Sequence, residues 1–145
     1  MKKFEFRLAA ALKARNVALD AAKTELAGVA ARHDLAVGLL ETRRQDLLNI
    51  AATDRAPGSM LDAHQELLRQ RHQHQVREEI NRRKHIVVKL VEELDKAREA
   101  VTAAYREVRA LEVLEERDRE VWVQETLREE QKENDDHNSQ RHGRS

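Results

Sequence analysis

Heptad repetition of apolar residues constrains this chain more than any other feature of its sequence. With position a at Leu12, the a and d positions continue in steps of seven as far as residue 50, and ten of these 13 positions are apolar. A repeat of this length is typical of a coiled coil, in which a and d side chains form a seam against a partner helix. It predicts helix one over about residues 3 to 54. The 13 positions are Leu8, Leu12, Arg15, Leu19, Ala22, Leu26, Val29, His33, Ala36, Leu40, Arg43, Leu47 and Ile50.

A second heptad repeat begins at Ile80, and nine of its ten a and d positions are apolar. It predicts helix two over about residues 60 to 136. Before Ile80 the apolar residues Leu61, Leu68 and Val76 do not keep the same register, which predicts a stutter or a local loosening near residues 72 to 75. The ten positions are Ile80, Arg83, Val87, Leu90, Leu94, Ala97, Val101, Ala104, Val108 and Leu111.

The two repeats are separated by the one point where proline and glycine meet, Pro57-Gly58. Because proline cannot continue a helix, a turn is predicted over residues 55 to 59. Residues 1 to 138 are therefore predicted to form one all-α domain, a long antiparallel two-helix coiled-coil hairpin. This turn pairs residue i with roughly residue 116 minus i, so everything beyond about Leu114 becomes a C-terminal helical overhang. Residues 139 to 145 are polar and predicted to be disordered.

Composition suits long helices better than a compact globule, since 37% of residues are charged and only 3% are aromatic. Lys plus Arg and Asp plus Glu both number 27, which argues against a polyanion such as nucleic acid as the main partner. The charge is uneven along the chain. Residues 1 to 90 carry 17 basic and 11 acidic residues, whereas residues 91 to 136 carry 8 basic and 16 acidic residues.

The absence of cysteine excludes disulfides and thiolate metal sites and suits a reducing cytosol. No apolar stretch approaches the ~18 residues of a membrane span, so direct membrane insertion is not expected and any membrane association goes through a partner.

No pattern in the sequence indicates catalysis, a cofactor or a metal. His72 and His74 are two residues apart, so they point to different sides of a helix, and no metal-binding motif accompanies them. No glycine-rich loop or nucleophile motif is present either, which predicts a protein that is not an enzyme. The basic run at residues 82 to 85 leaves nucleic-acid binding as an alternative, although Glu78 and Glu79 offset it and no aromatic residues are interleaved.

One apolar cluster falls in the predicted overhang, around Val121, Trp122 and Val123. An indole on a helix without a partner of its own predicts an interaction site. The alternative is that Trp122 folds over Phe4 and Phe6 at the open end of the hairpin.

Both ends of the chain resemble the flagellar export protein FliJ family, and the resemblance covers nearly the whole sequence. At the start it rests on Phe4-x-Phe6-Arg7-Leu8-x-x-x-Leu12-x-x-Arg15. Near the end it rests on Leu111-Glu112-x-Leu114-Glu115 and then on Arg128-x-Glu130-Gln131-Lys132-x-x-Asp135.

The resemblance implies a component of the flagellar type III export apparatus, with a coiled coil similar to the central stalk of rotary ATPases. The partners it implies are the hexameric flagellar export ATPase, whose assembly and activity it would promote, the membrane export-gate protein and export chaperones. The implied location is cytoplasmic, peripherally associated with the inner membrane through the export apparatus. In the family a patch early in helix two contacts the gate; its matching positions here are His72, Val76, Glu79 and Arg83, and only Val76 keeps the usual apolar character.

The predicted partner-binding residues combine this patch with the overhang. They are Val76, Arg83, Trp122, Arg128, Glu130, Gln131, Lys132 and Asp135. Three alternative functions stay open on sequence alone: the stalk of a virulence-type III secretion system, a basic-helix nucleic-acid binder, and a generic coiled-coil scaffold that associates with itself.

Overall fold

The computed structural model describes residues 2 to 53 and 63 to 143 and contains two long helices. Helix α1 spans Ala9–Thr53 and helix α2 spans Ala63–His142, and no strand occurs in the described ranges. The all-α, two-helix prediction is confirmed. The predicted turn at residues 55 to 59, and Leu61, lie outside the described residues. None of the helices, so far as they are described, is long and apolar enough to cross a membrane.

The chain divides into two compact units, and in each of them part of α1 packs against part of α2. The terminal unit comprises Met1–Ala21 with Thr102–Ser145, and the middle unit comprises Ala22–Val101. Two small apolar clusters form the core of the middle unit. The first contains Val29, Leu94 and Ala97, and the second contains Leu40, Val76 and Ile80.

Ion pairs between the helices show that they are antiparallel within each unit. In the terminal unit Arg7 lies 3.6 Å from Asp118 and Arg15 lies 2.8 Å from Glu107. In the middle unit Arg32 lies 4.0 Å from Glu93 and Arg43 lies 3.1 Å from Glu79. The residue numbers of each pair add to 122 or 125, whereas the sequence predicted about 116. Each α1 residue therefore lies against a later residue of α2 than expected, and more of α2 has a partner.

The predicted heptad positions form the contact between the helices. Of the 13 positions assigned to helix one, only Arg15 is exposed, and all ten assigned to helix two are buried or half-buried. Apolar residues outside the repeat, such as Val17 at 63% and Leu35 at 65%, remain exposed. The spacing of apolar residues thus identifies the buried face of both helices.

The predicted stutter near residues 72 to 75 is wrong, because the heptad register continues unbroken toward the start of α2. Gln73, Arg69 and Glu66 keep the spacing of Val76 and Ile80, and all three are half-buried. The Arg69 guanidinium donates hydrogen bonds of 3.1 and 2.7 Å to the Glu66 carboxylate. Apolar Leu68, which had suggested a change of register, is exposed.

Helix α1 begins later than predicted, since residues 2 to 6 are not helical. This N-terminal segment, residues 2 to 8, reaches α1 through a turn in which the Ala9 amide donates to the Phe6 carbonyl at 3.1 Å. Phe6 is buried and Phe4 half-buried.

Helix α2 ends at His142, whereas the sequence predicted a helix end near residue 136 and disorder from residue 139. Residues 139 to 142 are instead helical. No proline or glycine interrupts the chain before Gly143, and extending an existing helix requires no new nucleation. Gly143 follows the last turn, where its amide donates to the Ser139 carbonyl at 3.1 Å.

Candidate protein interaction surface

The last part of α2 is an exposed helical arm. From Leu127 to Gly143 every residue is exposed, and we call this stretch the arm. Five predicted partner-binding residues lie on it, and no ion pair or side-chain hydrogen bond engages them in the described structure. They are Arg128, Glu130, Gln131, Lys132 and Asp135. Their charged and amide groups are accordingly available to another molecule.

The arm begins later than the sequence predicted. Residues 111 to 115 are all half-buried, so Leu114 is not the start of a helix without a partner. Farther along, Arg7 of the N-terminal segment lies 3.6 Å from Asp118. The N-terminal segment and the shifted pairing of the two helices both extend the covered part of α2, and the arm is correspondingly shorter than the predicted overhang.

Trp122 packs against the N-terminal segment, so the prediction of an indole without an intramolecular partner is wrong. Its ring centroid lies 5.9 Å from that of Phe4, with the planes tilted by 58°. The Arg119 guanidinium lies over the same Phe4 ring, 5.0 Å from its centroid, which adds a cation–π attraction. The alternative in which Trp122 meets Phe4 is the arrangement observed. A role for Trp122 in partner binding stays a prediction.

Next to Trp122 the N-terminal segment and the start of the arm line an acidic groove. Lys2 and four carboxylates of α2 are among its lining residues. The groove is lined by Lys2, Trp122, Glu125, Thr126, Glu129, Glu130 and Glu133. Glu130 therefore belongs to a wall shared with the N-terminal segment, whereas Arg128 and Lys132 are not among the lining residues.

Sequence analysis did not predict that Asp118 and Arg119 contact the N-terminal segment, through Arg7 and Phe4 respectively. A signal for this contact was present, because the heptad continues past Val108 and Leu111 through Glu115, Asp118 and Trp122 at the same spacing. All three are half-buried. Counting only apolar residues hides a seam that has become mostly polar.

The predicted contact positions early in α2 separate into packing and surface residues. Val76 is only 4% exposed and packs in the cluster with Leu40 and Ile80, so its side chain faces α1. Arg83 is half-buried, whereas His72 is exposed. The positions matched to the gate patch thus do not form one continuous exposed surface.

Glu79 joins the two helices at this point. Its carboxylate accepts hydrogen bonds of 3.1 and 2.9 Å from Arg83, and it lies 3.1 Å from Arg43 on α1. The Arg83 hydrogen bonds, assisted by the charge of Arg43, hold the pKa of Glu79 below its ordinary value of 4.5, although partial desolvation opposes this shift. Arg43 also pairs with Asp46 at 3.0 Å. These groups stabilise one another within the hairpin.

The described residues contain no group of three or more His, Cys, Asp and Glu side chains placed to hold a metal ion. They form long helices that are joined by ion pairs and end in the exposed arm. Charged and amide side chains such as those of the arm are groups that form hydrogen bonds across protein interfaces.

Comparison with known families decides the relationship. The family described as Flagellar FliJ protein matches residues 4–145, essentially the whole chain. The chain belongs to the FliJ family. Comparison with curated proteins and with solved structures finds no match. Membership of the FliJ family connects the chain with flagellar protein export, as a structural component of the export machinery.

Proposed function

We propose that this FliJ-family chain is the coiled-coil stalk of a flagellar export apparatus, and that it binds the hexameric export ATPase through its arm. The observation that carries the proposal is the continuous exposed surface from Leu127 to Gly143. An exposed helix end, on a protein that functions in an assembly, is a natural contact site.

The start of the arm is supported by packing. Phe4 contacts both Trp122 and Arg119 shortly before the arm begins. A contact surface continuous with a packed segment loses less conformational entropy on binding than a free peptide would. In this proposal Arg128 and Lys132 supply cations, and Glu130 and Asp135 supply carboxylates, for complementary charges on the ATPase.

The same proposal includes contacts with the membrane export-gate protein and with export chaperones, and a peripheral association with the inner membrane through the apparatus. For the gate contact we propose the exposed residue His72 and the half-buried residue Arg83, because the side chain of Val76 is enclosed by the hairpin.

The test is stimulation of the cognate hexameric ATPase by the purified chain. We expect the wild type to bind the ATPase and to raise its rate, and Arg128→Glu combined with Lys132→Glu to weaken binding by about tenfold, because two exposed charges become repulsive. Trp122→Ala should weaken it as well, by disturbing the packing at the start of the arm.

The matched control is Lys13→Glu combined with Lys23→Glu, which makes the same charge change at exposed positions of α1. It should stimulate the ATPase as the wild type does. If the wild type neither co-purified with the ATPase nor stimulated it, the proposal would be removed. Equal losses in both double variants would remove the assignment of the contact to the arm.

A further inference from the structure

The N-terminal segment buries its apolar side chains and exposes its charged ones. Phe4, Phe6 and Leu8 are buried or half-buried, whereas the charged residues between them are exposed. A helix over the same residues would instead put Glu5 at the seam position before Leu12, because a seam repeats every seven residues. Phe4 and Phe6 would then lie about 100° to either side of that position. Leaving the helical conformation is what allows both phenylalanine rings to be covered.

The segment covers a part of α2 that helix α1 does not reach. The observed pairing in the terminal unit places Ala9, the first residue of α1, opposite about residues 113 to 116 of α2. Farther along α2, Asp118 and Trp122 are half-buried. Arg7 lies 3.6 Å from Asp118, and the Phe4 ring centroid lies 5.9 Å from that of Trp122. The segment thus takes the place of a partner helix over these turns.

Only side chains hold the segment on α2 within the part of the chain that the structure describes. Its backbone hydrogen bonds are accepted by the Phe6 and Leu8 carbonyls from amides of α1, at 3.1 and 2.9 Å. The Arg7–Asp118 pair is solvent-exposed, with 74% of the Arg7 side chain accessible, and exposed ion pairs stabilise a structure little. A segment with so few backbone and buried contacts opens at a lower free energy than the hairpin that carries it.

The acidic groove beside Trp122 carries unbalanced negative charge. Its lining residues include four carboxylates and one cation, Lys2. Three of the carboxylates, Glu125, Glu129 and Glu133, are spaced i, i+4 along α2, and like charges at this spacing destabilise a helix. No ion pair engages any of the four in the described structure. The positive charge of Lys2 lowers the repulsion among them while the segment is in place.

We propose that the N-terminal segment is a strap that switches the start of the arm between a closed and an open state. In the closed state, which is the one observed, Phe4 covers Trp122, Lys2 lies beside the carboxylates, and residues 123 to 133 are held helical. In the open state the segment leaves α2, Trp122 becomes accessible, and repulsion among the carboxylates loosens the same residues.

Closure of the strap therefore orders the start of the arm. Any molecule that competes for Trp122 or for the acidic groove shifts the balance toward the open state by its preference for that state. This conformational switch goes beyond the proposed ATPase contact and does not depend on it.

The experiment is hydrogen–deuterium exchange of the full chain at low ionic strength, measured by mass spectrometry of its peptides. Lys2→Glu places a fifth carboxylate at the groove and should open the strap. We expect amide exchange in residues 123 to 133 to become about threefold faster. Acrylamide quenching of Trp122 emission should increase in the same variant, whereas exchange in residues 22 to 50 of the middle unit should not change.

Lys3→Glu is the matched control, because it makes the same charge change one residue away, at a position that does not line the groove. Its exchange should equal that of the wild type. In the Lys2→Glu background, Glu125→Gln combined with Glu133→Gln removes both i, i+4 repulsions. Exchange in residues 123 to 133 should then return to within about twofold of the wild type.

Three outcomes overturn the proposal: unchanged exchange of residues 123 to 133 in Lys2→Glu, equal acceleration by Lys2→Glu and Lys3→Glu, or no recovery when Glu125 and Glu133 are replaced. Because no ATPase is present in this experiment, its result is independent of the proposed contact of the arm.

Discussion

Arg43 and Arg83 occupy seam positions that a simple coiled coil would fill with leucine, and both reach the Glu79 carboxylate. Arg15, the exposed seam residue of helix one, reaches Glu107 in the same way. Polar seam residues of this kind contribute little net stability, but a shifted register would leave them without their partners. We infer that they help to specify the observed pairing.

Glu79 makes the stability of the chain depend on pH. Its pKa is lower in the folded chain than its ordinary 4.5, chiefly through the Arg83 hydrogen bonds. The folded state therefore binds protons less readily than the unfolded state, and the stabilisation present above pH 4.5 is lost as the pH falls toward the folded-state pKa.

We expect the free energy of unfolding to fall below pH 4.5, and Glu79→Gln to reduce that fall while lowering stability at neutral pH. Urea unfolding at several pH values measures both effects. The pKa of Glu66 is also lowered, by its hydrogen bonds from Arg69. Glu66 should therefore preserve part of the pH dependence of stability in the Glu79→Gln variant. Glu129→Gln on the arm is the control, and an identical pH profile in both variants would contradict this account.

Gly28 and Gly38 lie on the exposed side of α1, and a Cβ atom added at either would meet nothing within 4 Å. Alanine loses less backbone entropy than glycine in a helix interior, by about 1 kcal/mol. We therefore expect Gly28→Ala and Gly38→Ala each to raise the free energy of unfolding by about 1 kcal/mol in urea titrations. Gly143→Ala, beyond the last helical residue, should have little effect, and a loss of stability at Gly28 or Gly38 would reveal an undetected role for the exposed face.

At the scale of the helices, sequence reasoning succeeded where one periodic signal determined the structure. The heptad of apolar residues identified both helices and nearly every contact position between them. Sequence reasoning failed where the buried residues are polar or do not follow a heptad repeat. Glu66, Arg69 and Gln73 continue the seam without apolar character, and the N-terminal segment is anchored by single aromatic contacts. Pattern counting cannot weigh such contacts against helix propensity, because they join residues more than 100 positions apart, as Phe4 and Trp122 are.

The N-terminal segment offers a spectroscopic test, because Trp122 is the one tryptophan of the sequence. Phe4→Ala removes the ring that packs on it and the acceptor of the Arg119 cation–π contact. We expect a red shift of tryptophan emission, stronger quenching by acrylamide and a loss of about 1 kcal/mol in the free energy of unfolding. Lys3→Ala, an exposed neighbour, should leave the emission unchanged. Unaltered emission in Phe4→Ala would contradict the packing of this segment.

At the scale of the whole molecule, the arm that we propose as the ATPase contact belongs to the terminal unit. It contributes to neither of the buried clusters of the middle unit. Substitutions on the arm should therefore change binding without changing the fold, which makes a loss of function interpretable.

Removal of the arm separates folding from function most directly. In a chain that ends at Thr126, every removed residue that the structure describes is exposed, so the free energy of unfolding should change by less than about 0.5 kcal/mol. Helical circular dichroism should decrease only by the contribution of the missing turns, while stimulation of the export ATPase should be lost, because the shortened chain lacks Arg128, Lys132 and their neighbours. A chain that ends at Gly143 is the control and should behave as the wild type. If the chain that ends at Thr126 still stimulated the ATPase fully, the contact would have to lie on the paired part of the helices instead of on the arm.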